Sequence, residues 1–238
     1  VVTVSDTFGN PVQGRIVTFS IDSVPSGASG QSLSDTNATT SANGQASTVV
    51  TLGSKMGAYT IRAASAGLAS NPISFVATGF AAAARRIVLS SGTAQSDSIN
   101  RTLINPFVVT VSDTFGNPVQ GTNVLFAIDS IPTGATGYSL SVSNAATDTL
   151  GRALASLTLG NLPGRYTVKA ASIALIGSPI TFAATATADV LVRAVVQVQA
   201  RWNLISLPVD PVNDSVASAF PAATGNAFFY SASSYGVR

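Results

Sequence analysis

Two matched pairs of aspartates are the groups in this sequence whose types and spacing come nearest to a catalytic pattern. Asp6 and Asp22 recur as Asp113 and Asp129 in a second copy of the same stretch. Glycoside hydrolysis needs two carboxyl groups that face each other across about 5–10 Å. Asp6 and Asp113, however, each precede a turn sequence, where aspartate commonly accepts hydrogen bonds from its own backbone. We therefore predict that all four carboxylates are structural and that the chain is not an enzyme.

Other catalytic groups are scarce. The sequence contains no histidine and no cysteine, which excludes Ser-His-Asp triads, thiol nucleophiles, iron–sulfur clusters and the common zinc sites. A Ser–Lys pair would have to use Lys55 or Lys169, whose matched positions in the other copy hold Leu162 and Arg62. We predict that both lysines are solvated and have no catalytic role.

Sites for metals, phosphates or sugars are suggested only by scattered residues. The sequence has no Asp-x-Asp-x-Asp-Gly run and no phosphate-binding glycine loop, so we expect no metal and no cofactor. Calcium held between domains by Asp97 or Asp189 is the alternative.

Tyr138 replaces Gln31 of the other copy, so it is a candidate for sugar stacking, with core packing as the simpler interpretation. The same two interpretations apply to the aromatic residues near the end, Phe228, Phe229, Tyr230 and Tyr235. N-glycosylation sequons at Asn37, Asn100 and Asn213 are hypotheses only.

The composition is that of a globular protein with little charge. Hydrophobic residues make up 46% of the chain and charged residues 9%, with 12 basic side chains against 10 acidic ones. Nucleic-acid binding requires a clustered basic face, and the only adjacent basic pair is Arg85-Arg86. The longest nearly apolar run, Phe75–Ala84, is shorter than the roughly 20 residues of a membrane-spanning helix. We expect neither nucleic-acid binding nor a membrane span. No signal peptide is visible, and the lack of cysteine leaves the redox compartment open.

The elements that must position these residues come from an internal repeat. Val1–Thr78 aligns without a gap on Val108–Thr185, and about 46 of the aligned pairs are identical. A repeat of roughly 100 residues has the size of a whole domain. We predict an Ig-like repeat 1 over residues 1–80, an Ig-like repeat 2 over 84–187, and a partial C-terminal β module over 188–238.

Both copies alternate apolar and variable positions. Val17, Phe19 and Ile21 match Val124, Phe126 and Ile128, whereas the residues between them change freely. This period of two indicates strands with one buried face. The same pattern predicts that further apolar pairs face inward: Val50, Leu52, Tyr59, Ile61, Ala63, Ile73 and Phe75 with their counterparts Leu157, Leu159, Tyr166, Val168, Ala170, Ile180 and Phe182.

Turn signals separate these strands. Gly9 and Gly116 stand before Asn-Pro and supply a backbone conformation that other residues avoid. Asn43-Gly44 is a strong hairpin signal. We predict about seven short strands per repeat, no helix, and an antiparallel β-sandwich. "GAYTIRA" and "GRYTVKA" also predict a tyrosine corner, in which the hydroxyl of Tyr59 or Tyr166 bonds to nearby backbone.

The order of the motifs is more specific than any one of them. "VVTVSDTFGNPVQG", then "VTFSI" or "VLFAI", then "NGQASTVVTL" and "GAYTIRAAS" resemble bacterial Ig-like domains of the invasin and intimin type. The resemblance implies tandem Ig-like antiparallel β-sandwiches in an extracellular or cell-surface stalk or adhesin. In that family a distinct tip domain usually adheres, so the resemblance implies that these repeats are spacers.

The two ends of the chain depart from the repeat. Arg85–Phe107, whose "RRIVLSS" predicts a first strand, has no counterpart in repeat 1. We therefore expect an unpaired edge and a partly exposed core at Val1. Either the chain is a piece of a longer protein or another chain supplies the strand. After Thr185 the repeat fades, and "ARWNLISLPVDP" resembles the start of C-terminal β-sandwich modules in long secreted bacterial proteins.

These observations favour a non-catalytic structural protein whose tandem modules form an extracellular stalk, fibre or filament. The alternatives are an adhesin or carbohydrate-binding module, or the accessory region of a secreted hydrolase. We expect the partners to be neighbouring Ig-like modules or copies of the chain itself, joined by strand addition at the Val1 edge. A glycan or another surface ligand is the further partner to test. A linker near Thr78–Arg86, with one glycine and several alanines, should permit limited bending between the repeats.

Overall fold

A computed structural model describes residues 1–188, 228–231 and 234–237. Within these ranges the chain forms strands, turns and bends, with no helix. Accordingly, no helix there has the length and apolar character needed to cross a membrane. The chain divides into two compact units, Val1–Asp189 and Val190–Arg238.

Repeat 1 builds two layers around a small core. Its main sheet is four-stranded and antiparallel, in the order β4-β2-β7-β8, and the shorter pairs are β1-β5 and β3-β6. Val2 and Ala46 of one short pair share a hydrophobic cluster with Val17, Phe19 and Ala63 of the main sheet. The eight strands are β1 (Val2–Thr3), β2 (Ile16–Ser23), β3 (Ser32–Leu33), β4 (Asn37–Thr39), β5 (Gln45–Ala46), β6 (Val50–Thr51), β7 (Gly57–Ala64) and β8 (Ile73–Gly79).

Repeat 2 has the same plan with two additional strands at its start. The ten strands are β9 (Arg86–Ser91), β10 (Gln95–Ser98), β11 (Phe107–Ser112), β12 (Asn123–Ser130), β13 (Ser139–Leu140), β14 (Asn144–Ala146), β15 (Arg152–Ala155), β16 (Leu157–Thr158), β17 (Gly164–Ala171) and β18 (Ile180–Thr187). The sheets have the orders β10-β18-β17-β12-β14, β15-β11-β9 and β13-β16. The pairing of β10 with β18 is parallel, and all the other strand pairs are antiparallel.

The alternating pattern correctly predicts the buried faces of repeat 2. Phe126 is 1% exposed, whereas Leu125 beside it on β12 is 55% exposed. The predicted inward residues of β16 and β17 lie in one cluster with those of β12 and β18. Side chains from both layers share this core, which confirms the all-β sandwich.

Repeat 1 departs from the prediction along β8. Ile73 and Phe75 are 45% and 38% exposed, whereas their counterparts are covered, with Phe182 at 0% and Ile180 half-buried. The prediction that both residues face inward holds for Phe75, which lines a groove between the layers, and its exposure agrees with the partly exposed core expected at the Val1 edge, whereas Ile73 is exposed. In repeat 2 part of the covering layer comes from Arg85–Phe107, whose residues Ile87, Leu103 and Phe107 are buried.

The predicted count of seven strands per repeat is too low, because eight and ten strands are present. The additional strands are only two to four residues long. A strand of that length is too short to show an alternating pattern. Asn43-Gly44 does form a tight turn, in which Gly44 N–H donates to the Ser41 carbonyl at 2.8 Å. Its flanking strands do not pair with each other, however. β4 pairs with β2, and β5 pairs with β1, so the turn carries the chain from one layer to the other.

Near the end of the chain, β19 (Phe228–Ser231) pairs antiparallel with β20 (Ser234–Val237). This confirms the predicted strand character of that stretch. The interpretations placed on Asp189, on the stretch "ARWNLISLPVDP" and on Asn213 lie outside the described residues, as do the side chains of the terminal aromatic residues.

Candidate functional site

The Asp-Thr-Phe-Gly-Asn loops are held by their own aspartates, as predicted. Asp6 Oδ1 accepts the backbone N–H groups of Phe8 and Asn10 at 2.9 and 2.8 Å. Its Oδ2 accepts the Asn10 side-chain amide at 3.0 Å. These hydrogen bonds, with that from the Asn10 side chain the strongest, lower the pKa of Asp6. Gly9 adopts φ +88° at the tip of the loop. The glycine is present in both copies because other residues rarely adopt a positive φ.

The other matched aspartates lie at bulges. Asp22 and Asp129 are the extra residues where the register of β2 with β7 and of β12 with β17 shifts, and such bulges redirect a side chain. Asp129 Oδ1 lies 2.6 Å from Lys169 Nζ, and Asp22 Oδ1 lies 3.6 Å from an Arg62 nitrogen. The hydrogen bond from Lys169 lowers the pKa of Asp129. Both carboxylates therefore serve matched cross-strand ion pairs.

Lys55 is not simply solvated, which corrects its prediction. Its Nζ donates a hydrogen bond to the Phe115 carbonyl oxygen in repeat 2. Lys169 is half-exposed and pairs with Asp129. No sequence pattern indicates the Lys55 contact, because the matched position in repeat 2 is Leu162.

A junction between the repeats forms around this lysine; we define it as Ser54–Met56, Ala82 and Asp113–Asn117. Asn117 Oδ1 accepts the Met56 N–H at 3.1 Å, and its Nδ2 donates to the Ser54 carbonyl at 2.9 Å. Asp113 Oδ2 accepts the Ala82 N–H from the linker at 3.0 Å. Both the edge of repeat 1 and the linker are thus bound to one loop of repeat 2.

The junction changes the environment of a loop whose sequence is the same in both repeats. Asp113 and Asn117 are 3% and 4% exposed, whereas Asp6 and Asn10 are exposed. Burial raises the pKa of Asp113, but the hydrogen bonds from Asn117, Ala82 and Phe115 outweigh it and lower that pKa overall. Because the two loops have identical sequences, only the partner across the junction distinguishes them.

The tyrosine corner of repeat 1 holds the backbone of a junction residue. Tyr59 Oη donates to the Lys55 carbonyl at 2.6 Å, and Tyr166 Oη donates to the Leu162 carbonyl at 2.9 Å. Both predicted corners are therefore confirmed. In repeat 1 the corner fixes the backbone of the residue whose side chain crosses to repeat 2.

The remaining candidates do not converge on a second site. Tyr138 packs against the core of repeat 2, in line with its simpler interpretation. Asn37 lies on β4, where its side-chain oxygen accepts a hydrogen bond from Thr18. Asn100 is exposed with φ +60°. The Asp97 carboxylate accepts the N–H of Ser98. In the part of the chain that the structure describes, no group of three or more acidic, histidine or cysteine residues is placed to hold a metal ion.

An apolar groove opens between the layers of repeat 1; we call it the open groove. Its volume is about 130 Å³, and it has more apolar than polar surface. The residues that line it include Val1, Phe19, Val50, Ile61, Phe75 and Ala77. It lies at the Val1 edge, where the sequence predicts an exposed core.

Comparisons with known proteins bear on the fold. No protein-family model matches the chain, and no curated protein matches it in sequence. The solved structure of InvD from Yersinia pseudotuberculosis is similar, with 17% identity and a TM-score of 0.50 over 90% of this chain and 58% of that one. The chain has an Ig-like β-sandwich fold.

Two further solved structures are similar to the chain. The D0-D1 domain of intimin is 21% identical over 77% of this chain and 86% of that one, with a TM-score of 0.32. The Escherichia coli adhesin FdeC is 21% identical over 75% of this chain and 56% of that one, with a TM-score of 0.43. At these identities the likeness concerns the fold, and the Ig-like fold hosts many unrelated functions.

Proposed function

We propose that the two repeats are Ig-like modules, over residues 1–80 and 84–187, of a non-catalytic structural protein outside a bacterial cell. Their task is to hold a fixed spacing and direction, as a segment of a stalk. The observation that carries this proposal is the buried pair Asp113 and Asn117, which binds the edge of repeat 1 and the linker together. Freely jointed domains would not form such a specific, buried contact with each other.

The contacts to the Asp113–Asn117 loop come from two separate stretches of the chain and differ in direction. The Ser54–Met56 turn supplies a carbonyl, an N–H and the Lys55 ammonium group, and the linker supplies the Ala82 N–H. Three groups of one turn in repeat 1 and one group of the linker, bonded in different directions, resist both bending and rotation. The burial of Asp113 and Asn117 strengthens each bond, because competing water is excluded.

The four candidate catalytic carboxylates support the same conclusion. The catalytic candidates Asp6, Asp22, Asp113 and Asp129 all have local hydrogen bonds or ion pairs. These partners hold the loops and bulges in shape. Structural use of each candidate carboxylate fits a spacer role.

Distance measurements by pulsed electron paramagnetic resonance test the spacer role. The sequence has no cysteine, so spin labels can be placed uniquely on the exposed, matched positions Ser20→Cys and Ala127→Cys. We expect one narrow distance distribution. Asn117→Ala should broaden it, and the matched control Asn10→Ala should leave it unchanged. A broad distribution in the chain with an intact junction would refute a fixed spacer.

The cellular location is tested separately. Antibodies raised against residues 1–188 should label intact cells that produce the natural protein, and external protease should remove the label. Labelling only after permeabilisation would contradict a surface role.

A further inference from the structure

Two turns hold matched places in the repeats. We call Ser54–Met56 the junction turn and its counterpart in repeat 2, Asn161–Pro163, the matched turn. The junction turn offers three groups to the Asp113–Asn117 loop: a carbonyl, a backbone N–H and a lysine ammonium group. The Asp-Thr-Phe-Gly-Asn loop has the same sequence in both repeats. Of these two elements, the turn is therefore the one that distinguishes the repeats.

The two turns have the same backbone arrangement. The Ser54 N–H donates to the Ser29 carbonyl at 2.9 Å, and the Ser54 hydroxyl oxygen accepts the Ser29 N–H at 3.2 Å. In repeat 2, Asn161 makes the matched pair of bonds with Thr136, at 3.0 and 2.8 Å. A tyrosine corner bonds to the next residue of each turn. What the turns can bind therefore differs because of their residue types.

The lysine ammonium group has no counterpart in the matched turn. Lys55 Cε lies 3.9 Å from where a Cβ on Gly27 would stand. Leu162 Cδ1 lies at the same distance from a Cβ on Gly134, which matches Gly27. The lysine stem and the leucine thus occupy equivalent places, and Leu162 packs against the core of repeat 2. Only the lysine extends further, to a carbonyl of the next module.

The backbone donor is missing as well. The Met56 N–H donates to Asn117 Oδ1 at 3.1 Å, but the matched residue Pro163 has no N–H. An asparagine placed in the same way against the matched turn would keep only the bond to the Asn161 carbonyl. Its Oδ1 would be buried without a donor from this turn, which is unfavourable.

We propose that the junction turn is a docking site specific for the Asp-Thr-Phe-Gly-Asn loop of another Ig-like module. Lys55 and the Met56 N–H determine this specificity. Leu162 and Pro163 prevent the matched turn from binding the same loop, so the two repeats are not interchangeable and their order is fixed. The inference rests on the proposed spacer function, because it assigns the partner of the same junction.

Exchanging the turn residues tests the specificity in the full chain. Lys55→Leu with Met56→Pro gives repeat 1 the residues that repeat 2 holds on the same backbone. The two spin labels of the spacer test should then show a broad distance distribution. The reverse exchange, Leu162→Lys with Pro163→Met, is the control and should leave the distribution narrow.

The outcomes separate this inference from the spacer function. A broad distribution in the unchanged chain refutes the spacer function itself. A narrow distribution that stays narrow after the exchange in repeat 1 refutes the specificity alone. Equal broadening by both exchanges would indicate a general loss of stability and would also contradict the specificity.

A duplicated module gives the opposite test, in which docking is gained. A second copy of residues 81–187, inserted after Thr187, keeps the native spacing because Thr187 matches Phe80. The matched turn of the first copy then precedes the loop of the second. Labels at Ala127→Cys in both copies should give a broad distribution, and the reverse exchange in the first copy should narrow it. A narrow distribution before the exchange, or a broad one after it, would overturn the proposal.

Discussion

Asp113 and Asn117 are joined by a hydrogen bond of 2.8 Å from the asparagine amide to the aspartate Oδ2, beneath the edge of repeat 1. Asp6 and Asn10 repeat this bond at 3.0 Å in an exposed loop. The chain therefore contains its own control for the effect of the junction, because sequence and local geometry agree and only the neighbouring module differs.

The first prediction concerns acid. The pKa of Asp113 is lower in the folded chain than the ordinary aspartate value of 3.8, so ionised Asp113 stabilises the folded state above that value. This contribution is lost as the pH falls through the lowered pKa. Asp113→Asn should therefore flatten the loss of stability below about pH 4, as measured by urea unfolding at several pH values.

Asp6→Asn is the matched control for the acid prediction. The pKa of Asp6 is also lowered, so this variant reports the loop alone. The junction adds the bond from Ala82 only to Asp113. Identical pH profiles for the two variants would show that the junction contributes nothing to acid stability.

The second prediction concerns the core. Phe126 is buried on β12 among residues from both layers, so Phe126→Ala should lower the free energy of unfolding by about 3–5 kcal/mol. Leu125→Ala on the same strand removes an exposed side chain and should change it by less than about 0.5 kcal/mol. Chemical denaturation measures both. Similar losses would mean that the inward face of β12 is misassigned.

The sequence predicted this inward face because two copies of one domain are available for comparison. Positions such as Val124 and Phe126 stay apolar while their neighbours vary, and this separates buried from exposed positions. The comparison could not reveal the junction. Asp113 and Asn117 match Asp6 and Asn10 residue for residue, so their different burial depends on tertiary contacts alone. Lys55 was missed for the opposite reason, since its counterpart Leu162 gave no hint of a polar contact.

The third prediction concerns two glycines that adopt a similar positive φ. Gly151 and Gly121 have φ +71° and +79°. A Cβ at Gly151 would collide with the Val111 carbonyl, whereas nothing lies within 4 Å of one at Gly121. Both alanine variants should lose stability through the positive φ, by about 1–2 kcal/mol. Gly151→Ala should lose a further 1–3 kcal/mol or so through the clash. Equal shifts in the midpoint of thermal unfolding would contradict the steric argument.

The fourth prediction separates local stability from the junction. Tyr59→Phe and Tyr166→Phe each remove a hydrogen bond to a backbone carbonyl, and each should cost about 1–3 kcal/mol. Only Tyr59 bonds to Lys55, so only Tyr59→Phe should also broaden the distance between labels at positions 20 and 127. Broadening by Tyr166→Phe to the same extent would show that the corner of repeat 1 has no special link to the junction.

The parallel pairing of β10 with β18 has a mechanical consequence. These strands stand near the start and the end of repeat 2, and four residue pairs join them, from Gln95 with Ala184 to Ser98 with Thr187. Tension applied to the two ends of the repeat would slide these strands past each other. All of their hydrogen bonds would then bear load together, instead of opening one after another as in unzipping. Because forced unfolding depends on the unfolding rate, this strand pair should set how long the repeat withstands a pull.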